Sequence, residues 1–406
     1  MDNFCVKEQD ILDVYKEEGK FNEYNYGKDY LKFKELINKS HVKEIAKEVS
    51  VKYHSIIRWK NNQRVPYCIK KINFLKEKGL IPYTPNTRTA RIVGFLHGDG
   101  YLNKNLLSFG FVSSELSILQ KLKEEVGEEF KIKGKIKKKR DIGDNETIHN
   151  KTFVVKRLTY DLKFNNKAIC ALLFKLGVPR GKKIYQKYSV PSWIMRGNIV
   201  IKKGFLQGLF DSELSNARIS TFKNHKDNIS SPRMEMGKIK SLENDLRDYL
   251  TQIKSLLNNF GITSRISCLR EYIKNERISL ILVINNKLSN IYNFTEMVGF
   301  YYNKERINKS LEVKNLALEK IKNKNVIYKL LNYCKNKDYF TLQDLENDLP
   351  ISCSSSKMVG LYLYKNRLAK RERNESKWFV YYPNIKKMNK IINNPILLET
   401  LPRLKK

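Results

Sequence analysis

The sequence predicts an α+β protein in which a helix-and-strand unit occurs twice in the middle of the chain, with helical units before and after it. Three observations predict this. Two passages between about residues 86 and 310 run through the same order of elements, and helix and strand periodicities alternate within each. The 406 residues, 41% of them hydrophobic, also suffice for two or three cored domains.

Residues 33 to 80 read as short helices. Val42 to Val49 and Tyr53 to Trp59 flank a break at Ser50, and Lys60 and Arg64 follow. The pair resembles a helix-turn-helix with Tyr53 to Lys60 as its groove-reading helix, or equally a plain helical hairpin. Pro82 and Pro85 then predict a linker, closing a first domain at 1–85.

The first passage, 86–198, opens with a helix rich in small residues and ending in an acid. Strand-like Leu106 to Val112 leads to a helix capped by Ser113 or Ser114 that turns Leu116, Leu119, Leu122 and Val126 inward. Strands over 131–140 and 152–164 and a helix over 167–176 complete it. The second passage, 199–312, repeats the order: Arg218 to Phe222 as strand, Leu242 to Phe260 as helix, strands near 263–273 and 278–285, and a helix from about 287. The last strands even end alike, Leu162-Lys-Phe-Asn-Asn-Lys167 against Leu282-Val-Ile-Asn-Asn-Lys287. A fourth unit, 313–406, carries helices near Val326 to Cys334 and after Thr341, a Ser-rich break at 352–356 and a helix from Lys357. Basic Arg367 to Arg373 and aromatic Trp378 to Tyr382 follow like a wing, so this unit is similar to a winged helix with Met358 to Leu368 as the groove-reading helix.

Lys and Arg outnumber Asp and Glu by 78 to 42, and the resulting charge of +36 predicts a large polyanion as partner. No apolar run approaches the about 18 residues of a membrane span, and Met1-Asp2-Asn3-Phe4 opens no signal peptide. The expectation is a protein of the cytosol or nucleoid with no membrane partner. Cys5, Cys68, Cys170, Cys268, Cys334 and Cys353 form no C-x-x-C pair and predict no zinc site.

The chemistry lies in the two opening helices, Arg91-Ile-Val-Gly-Phe-Leu-His-Gly-Asp-Gly100 and Phe205-Leu-Gln-Gly-Leu-Phe-Asp-Ser-Glu-Leu214. Ala90, Gly94 and Gly98 are spaced by four, as are Gly204, Gly208 and Ser212, so each helix has one stripe without bulky side chains. Two such stripes can pack with their backbones very close. An acid follows each stripe, so packing would bring Asp99 and Glu213 together at helix C-termini, where a cation is favoured. Hard oxygen ligands suit Mg²⁺ (or Mn²⁺), which can activate water for phosphodiester hydrolysis without a side-chain nucleophile. No Walker A loop, Gly-x-Ser-x-Gly elbow or Cys/His pair competes with that reading.

Ile92 to Gly100 and Leu206 to Leu214 resemble the two nine-residue motifs of LAGLIDADG homing endonucleases, and the resemblance covers roughly 86–310. It implies tandem pseudo-symmetric αββαββα units forming a saddle over double-stranded DNA, acting as a monomer on an asymmetric site. It places Asp99 and Glu213 at the catalytic acidic position, with Gly98 and Ser212 before them where a main-chain carbonyl can also reach metal. Two residues depart from the pattern. Leu214 stands where the motif ends in Gly, implying a different exit from the helix, and His97, read as structural, stands where Asp is common.

On 131–140 the odd positions Lys131, Lys133, Lys135, Lys137 and Lys139 share one strand face. Such lysines can protect a sheet edge, but five in register on a chain of this charge favour phosphate contact. Arg157 and Lys163 alternate with apolar neighbours on the next strand, and Lys163 points with the basic face, where a lysine near the acids could polarise hydration around the cut phosphate as basic residues do in the resembled family. The alternative is a fold of this kind that binds DNA as a regulator, or RNA as an intron maturase, without cutting. An intein is disfavoured by Met1 and by the absence of a terminal His-Asn pair.

Overall fold

The computed structural model describes residues 4–148, 151–220, 228–272, 276–324, 326–349, 353–373, 379–394 and 397. The chain begins with five helices: α1 (Glu8–Glu17), α2 (Phe21–Leu36), α3 (Val42–Glu48), α4 (Tyr53–Lys60) and α5 (Tyr67–Glu77). Trp59 of α4 is their anchor, fully buried with its ring 5.0, 5.2 and 5.6 Å from those of Tyr26, Tyr30 and Phe33. The turn between α3 and α4 passes through Ser50 at φ 54°.

The segment at Pro82–Pro85, expected to be a linker, is instead a packed seam. Val6 and Tyr83 form an antiparallel bridge, and the Tyr83 hydroxyl meets Thr89 Oγ1 at 2.6 Å and donates to Glu129. Proline breaks the helix there, but the paired backbone and buried ring of Tyr83 pin the otherwise exposed segment to the core.

The central region opens with α6 (Thr87–His97), whose first turn is capped by the Asn86 side chain. It continues through β1 (Gly100–Leu102), β2 (Phe109–Ser113), α7 (Leu116–Phe130), β3 (Lys135–Arg140), β4 (Asn145–Ile148), β5 (Lys151–Val154), β6 (Thr159–Phe164) and α8 (Lys167–Lys175). Antiparallel neighbours give the sheet order β1-β2-β6-β3, and β4 and β5 form a separate hairpin. Three expectations change here. The lysine strand begins at Lys135, because Lys131 ends α7 in the left-handed conformation, φ 53°, and donates to the Lys78 carbonyl at 2.8 Å. The predicted 152–164 strand breaks between β5 and β6, leaving Arg157 in the connection. Leu116, expected inside, is 39% exposed at the start of α7, while Ile118, Leu119, Leu122 and Val126 are buried.

After α9 (Ser192–Arg196) the order recurs: α10 (Ile199–Glu213), β7 (Arg218–Ile219), β8 (Ile229–Ser230), β9 (Arg233–Ile239), α11 (Glu243–Asn258), β10 (Ser264–Tyr272), β11 (Arg277–Ile284) and α12 (Leu288–Asn293), followed by a π-helical turn at Phe294–Val298. The sheet order is β10-β11-β9. The predicted strand at Arg218 to Phe222 is Arg218–Ile219, paired with β8, and positions 221 and 222 lie outside the described residues. The ladder strand is β9, hidden from pattern reading because a lysine, Lys238, stands at one of its inward positions.

A long helix, α13 (Lys304–Lys324), leads to the last unit: α14 (Val326–Cys334), β12 (Phe340–Thr341), α15 (Leu342–Asp348), α16 (Cys353–Lys365), β13 (Ala369–Arg373), β14 (Phe379–Pro383) and α17 (Ile385–Ile392). The expected Ser-rich break is mostly the first turn of α16, and Ser352 and Trp378 lie outside the described residues. Buried side chains from Val6 to Val313 form one continuous core, and a second core from Leu330 to Ile392 shares none of them. No helix among the described residues is long and apolar enough to cross a membrane.

At the centre, α6 and α10 touch backbone to backbone. A methyl group on Gly208 would collide with the Arg91 carbonyl oxygen and lie 2.8 Å from the Phe95 nitrogen; one on Gly94 would collide with the Phe205 carbonyl oxygen and lie 3.0 Å from the Leu209 nitrogen. The reciprocal contacts describe a near two-fold seam that only glycine permits. Gly208→Ala is therefore expected to destabilise the protein by about 3 kcal/mol in chemical denaturation, whereas at Gly127 on α7 a methyl group would meet only the Ile132 carbonyl oxygen, at an ordinary contact distance of 3.4 Å, so Gly127→Ala should stabilise it by about 0.5–1 kcal/mol. Equal effects at both sites would refute the seam.

Candidate functional site

The seam determines where the two motif ends lie. At Gly98, where α6 stops, a methyl group would lie 2.8 Å from Glu213 Cγ and would collide with Ser212 Oγ. Asp99 and Glu213 therefore share one site at the junction. Asp99 is open to solvent, Glu213 is half-buried, and each feels the same two cations, Lys183 and Arg306.

Lys183 lies in a short 3-10 turn at Lys183–Tyr185, beyond α8. Its ammonium donates to the Gly98 carbonyl and, at 2.7 Å, to the Gly100 carbonyl on either side of Asp99, near enough to feel both acids. Arg306 on α13 plays the corresponding part at the other motif end. Its guanidinium donates to the carbonyls of Phe210 (3.2 Å), Asp211 (3.1 Å) and Leu214 (2.9 Å). A helix C-terminus exposes unpaired carbonyls, and a basic side chain can satisfy them as a left-handed glycine cap otherwise would. This explains how Leu214 replaces glycine: it leaves α10 in extended conformation, bridges Met234 and is buried, with Arg306 taking its carbonyl.

Burial pushes the Glu213 carboxyl up to about 7, and the Asp99 charge adds to that push against the pull of Lys183 and Arg306. Although solvent reaches Asp99, the atoms crowded around the junction desolvate its carboxyl enough to raise it, against the pull of the same two cations. Burial lowers the Lys183 ammonium to about 8, while Glu213 and Asp99 favour its proton. Two carboxylates and a main-chain carbonyl are hard oxygen donors, and the Gly98 carbonyl already takes an ammonium hydrogen. The set is suited to a divalent cation such as Mg²⁺.

Behind the acids, His97 is fully buried. Its ring is 3.3 Å from the Tyr249 hydroxyl and 3.2 Å from the Gly177 carbonyl, and burial first, then the Lys183 charge, lowers it to about 3. It is a neutral joint between α6 and the chain leaving α8. Asp211 is its counterpart in the second motif, accepting the main-chain N–H groups of Tyr301 (2.8 Å), Tyr302 (2.8 Å) and Asn303 (3.3 Å).

The remaining residues singled out in the sequence divide. The Ser212 hydroxyl bonds back to the Leu209 carbonyl at 2.8 Å, inside its own helix. Lys135 and Lys163 stand opposite each other on neighbouring strands, as do Lys137 and Asp161, so Lys163 does share the exposed face with Lys135 and Lys137. Lys139 falls at an irregularity between Lys138 and Arg140, and Lys133 precedes β3. The cations acting on the acids are Lys183 and Arg306; Lys163 is not among them. Lys183 and Arg306 were missed because each lies far along the chain from its motif. One signal could have found them: a basic residue six positions after Gly177 and seven after Gly299, the glycines ending each half's last helical turn.

No family model matches the chain. The tRNA-splicing ligase RtcB of Pyrococcus abyssi is 30% identical over 284 residues, 68% of this chain and 29% of the ligase. RtcB of Methanopyrus kandleri is 27% identical over 241 residues, 58% of this chain and 23% of that protein. The RNA polymerase subunit Rpo1N of Methanocaldococcus jannaschii is 31% identical over 254 residues, 59% of this chain and 18% of the subunit. The chain thus spans less than a third of the length of each of these relatives. Among solved structures, a mesophilic variant of the homing endonuclease I-DmoI has TM-score 0.34 at 15% identity, covering 53% of this chain and 98% of that one. The N-terminal LAGLIDADG domain of WhiA has TM-score 0.32 at 15% identity, over 59% of this chain and 95% of that one.

Two pH responses follow. A carboxyl whose folded-state pKa is raised gives stability that is present at low pH and lost as pH rises toward 7, so Glu213→Gln should stabilise the metal-free protein by about 1–3 kcal/mol at pH 8 and leave it unchanged near pH 4.5. Thermal melts in a chelator test this, and a destabilised variant at pH 8 would overturn it. His97 has the opposite sign. Its depressed pKa means that stability is lost as pH falls from about 6.5 toward about 3. That slope should be absent from His97→Phe in acid denaturation; an unchanged slope would remove His97 from the account.

Proposed function

We propose that the chain is a metal-dependent endonuclease of the LAGLIDADG type that hydrolyses phosphodiester bonds of double-stranded DNA at an asymmetric target, as a monomer. The observation that carries this reading is the glycine seam, which brings Asp99, Glu213 and Lys183 to one open junction. A divalent ion such as Mg²⁺ or Mn²⁺, held by Asp99 and Glu213 with the Gly98 and Ser212 carbonyls beside them, would supply positive charge to the attacking water and departing oxygen.

The rest of the work belongs to the chain. Arg306 fixes the end of α10, so Glu213 does not swing away with its helix terminus. Lys183, whose proton on Nζ is favoured by both acids, sets a positive charge beside Asp99, where a phosphate oxygen would come to lie. Lys135, Lys137 and Lys163 form a basic sheet face that takes phosphate, with Lys133, Lys139 and Arg157 at its margins. Lys131, tied to Lys78, is left out of that face. α4 exposes Tyr53, His54, Arg58 and Lys60 and serves as a further duplex contact.

The relatives support a segment that occurs within proteins of different activity. A ligase and a polymerase subunit share little chemistry, yet each matches this chain over less than a third of its own length. Neither ligation nor transcription is therefore carried over.

The test is cleavage of a random-sequence duplex library with Mg²⁺. Discrete cuts are expected, vanishing in Asp99→Asn and Glu213→Gln while binding persists, and falling at least 100-fold in Lys183→Met. Binding without cutting in either Mg²⁺ or Mn²⁺ would replace the nuclease by a non-cutting DNA-binding protein.

A further inference from the structure

The unit beyond α13 lies outside the site, with its own core. Its order, helix, strand, helix, helix, then two strands, with sheet order β12-β14-β13, places the helix pair α15–α16 against a hairpin. α16 has two faces. Val359, Gly360 and Leu363 are buried; at Gly360 a methyl group would lie 2.5 Å from the Tyr381 hydroxyl and 2.6 Å from Leu342. The other face exposes Lys357, Met358, Tyr364 and Lys365, with Met358 62% exposed.

The hairpin is locked to that open face. The Arg371 guanidinium stacks on Tyr364 of α16 at 4.4 Å and on Phe379 of β14 at 4.2 Å, and Arg373 lies 5.2 Å from the same Phe379 ring. Helix and hairpin therefore present one continuous surface. Among the described residues of α16, the turn after it and β13, the single acid is Glu372, which pairs with Lys370. The acids of α15 are engaged elsewhere: Asp344 caps its own helix through Thr341, Glu346 takes the Ser356 hydroxyl and Asp348 the Tyr333 hydroxyl.

We propose that this surface is a second duplex-DNA reader, with α16 in the major groove and the β13–β14 hairpin on the adjoining backbone. The proposal rests on DNA being the partner of the central site. The charge complements a polyanion, and exposed Met358 and Tyr364 suit base edges and thymine methyls. A-form RNA is disfavoured, because its major groove is too narrow for a helix. α13 sets the reach. It starts beside Arg306 at the acids and its 21 residues span about 30 Å, which lets the contact fall up to about ten base pairs from the cut.

The experiment is fluorescence anisotropy on a 40-base-pair duplex with the full chain, Lys357→Glu/Lys365→Glu and Lys135→Glu/Lys137→Glu, each over a salt series, with duplex RNA as competitor. Both pairs are exposed. The expected result for Lys357→Glu/Lys365→Glu is at least tenfold weaker DNA binding and a log–log salt slope shallower by about 2, with duplex RNA a poor competitor. Affinity within twofold of the parent at unchanged slope overturns the proposal, as does RNA competing equally with DNA. Cleavage in the same samples separates the readings. A parent that binds through Lys357 and Lys365 but never cuts refutes only the nuclease; a chain that cuts with binding untouched by that pair refutes only the second reader.

Discussion

The close approach of α6 and α10 is the constraint on which the rest depends. Side chains normally hold helix axes 8–10 Å apart, and the glycines at 94, 98, 204 and 208 remove that spacing. A seam this tight allows little sliding or rotation, because backbone atoms on each side are already in contact. The acids beyond the seam are therefore fixed relative to each other by main chain, before any hydrogen bond of their own is counted. Both sheets inherit their placement from the same joint.

Rigid placement opposes the local electrostatics. The site holds like charges together in partly desolvated surroundings, and the carboxyls respond by favouring their protonated forms. The core of apolar residues from Val6 to Val313 carries that cost as one cooperative body, and the clasp of Val6 on Tyr83 ties the N-terminal helices into it. Lys183 and Arg306 reduce the repulsion in different ways. Lys183, on a short turn, holds the two carbonyls that flank Asp99, whereas Arg306 is anchored on a long helix and holds three carbonyls at once.

How much the sequence disclosed follows from the range of each signal. The glycine stripes and their acids were legible because helical spacing places i and i+4 on one face, and the repeat was legible because its two copies keep one order. The sheet was legible only in part. β9 escaped because inward Lys238 interrupts its alternation, and the lysine run looked longer than β3 because Lys131 already carries the spacing where the chain is still leaving α7. Lys183 was illegible for a different reason. It belongs to an irregular segment with other basic residues nearby, and only the folded chain brings its ammonium to Gly98.

His97 and Asp211 occupy equivalent places and perform the same joining task with opposite chemistry. His97, a neutral ring, faces a carbonyl oxygen and a tyrosine hydroxyl; Asp211, a carboxyl, collects three amide hydrogens. Each side chain suits only its own receptor. An unequal crossover that fused the start of one half to the end of the other would set His97 against the amides of Tyr301 to Asn303, or Asp211 against the carbonyl of Gly177. Such a recombinant would carry an interior polar mismatch, so the two halves, alike in their order of elements, are not interchangeable parts.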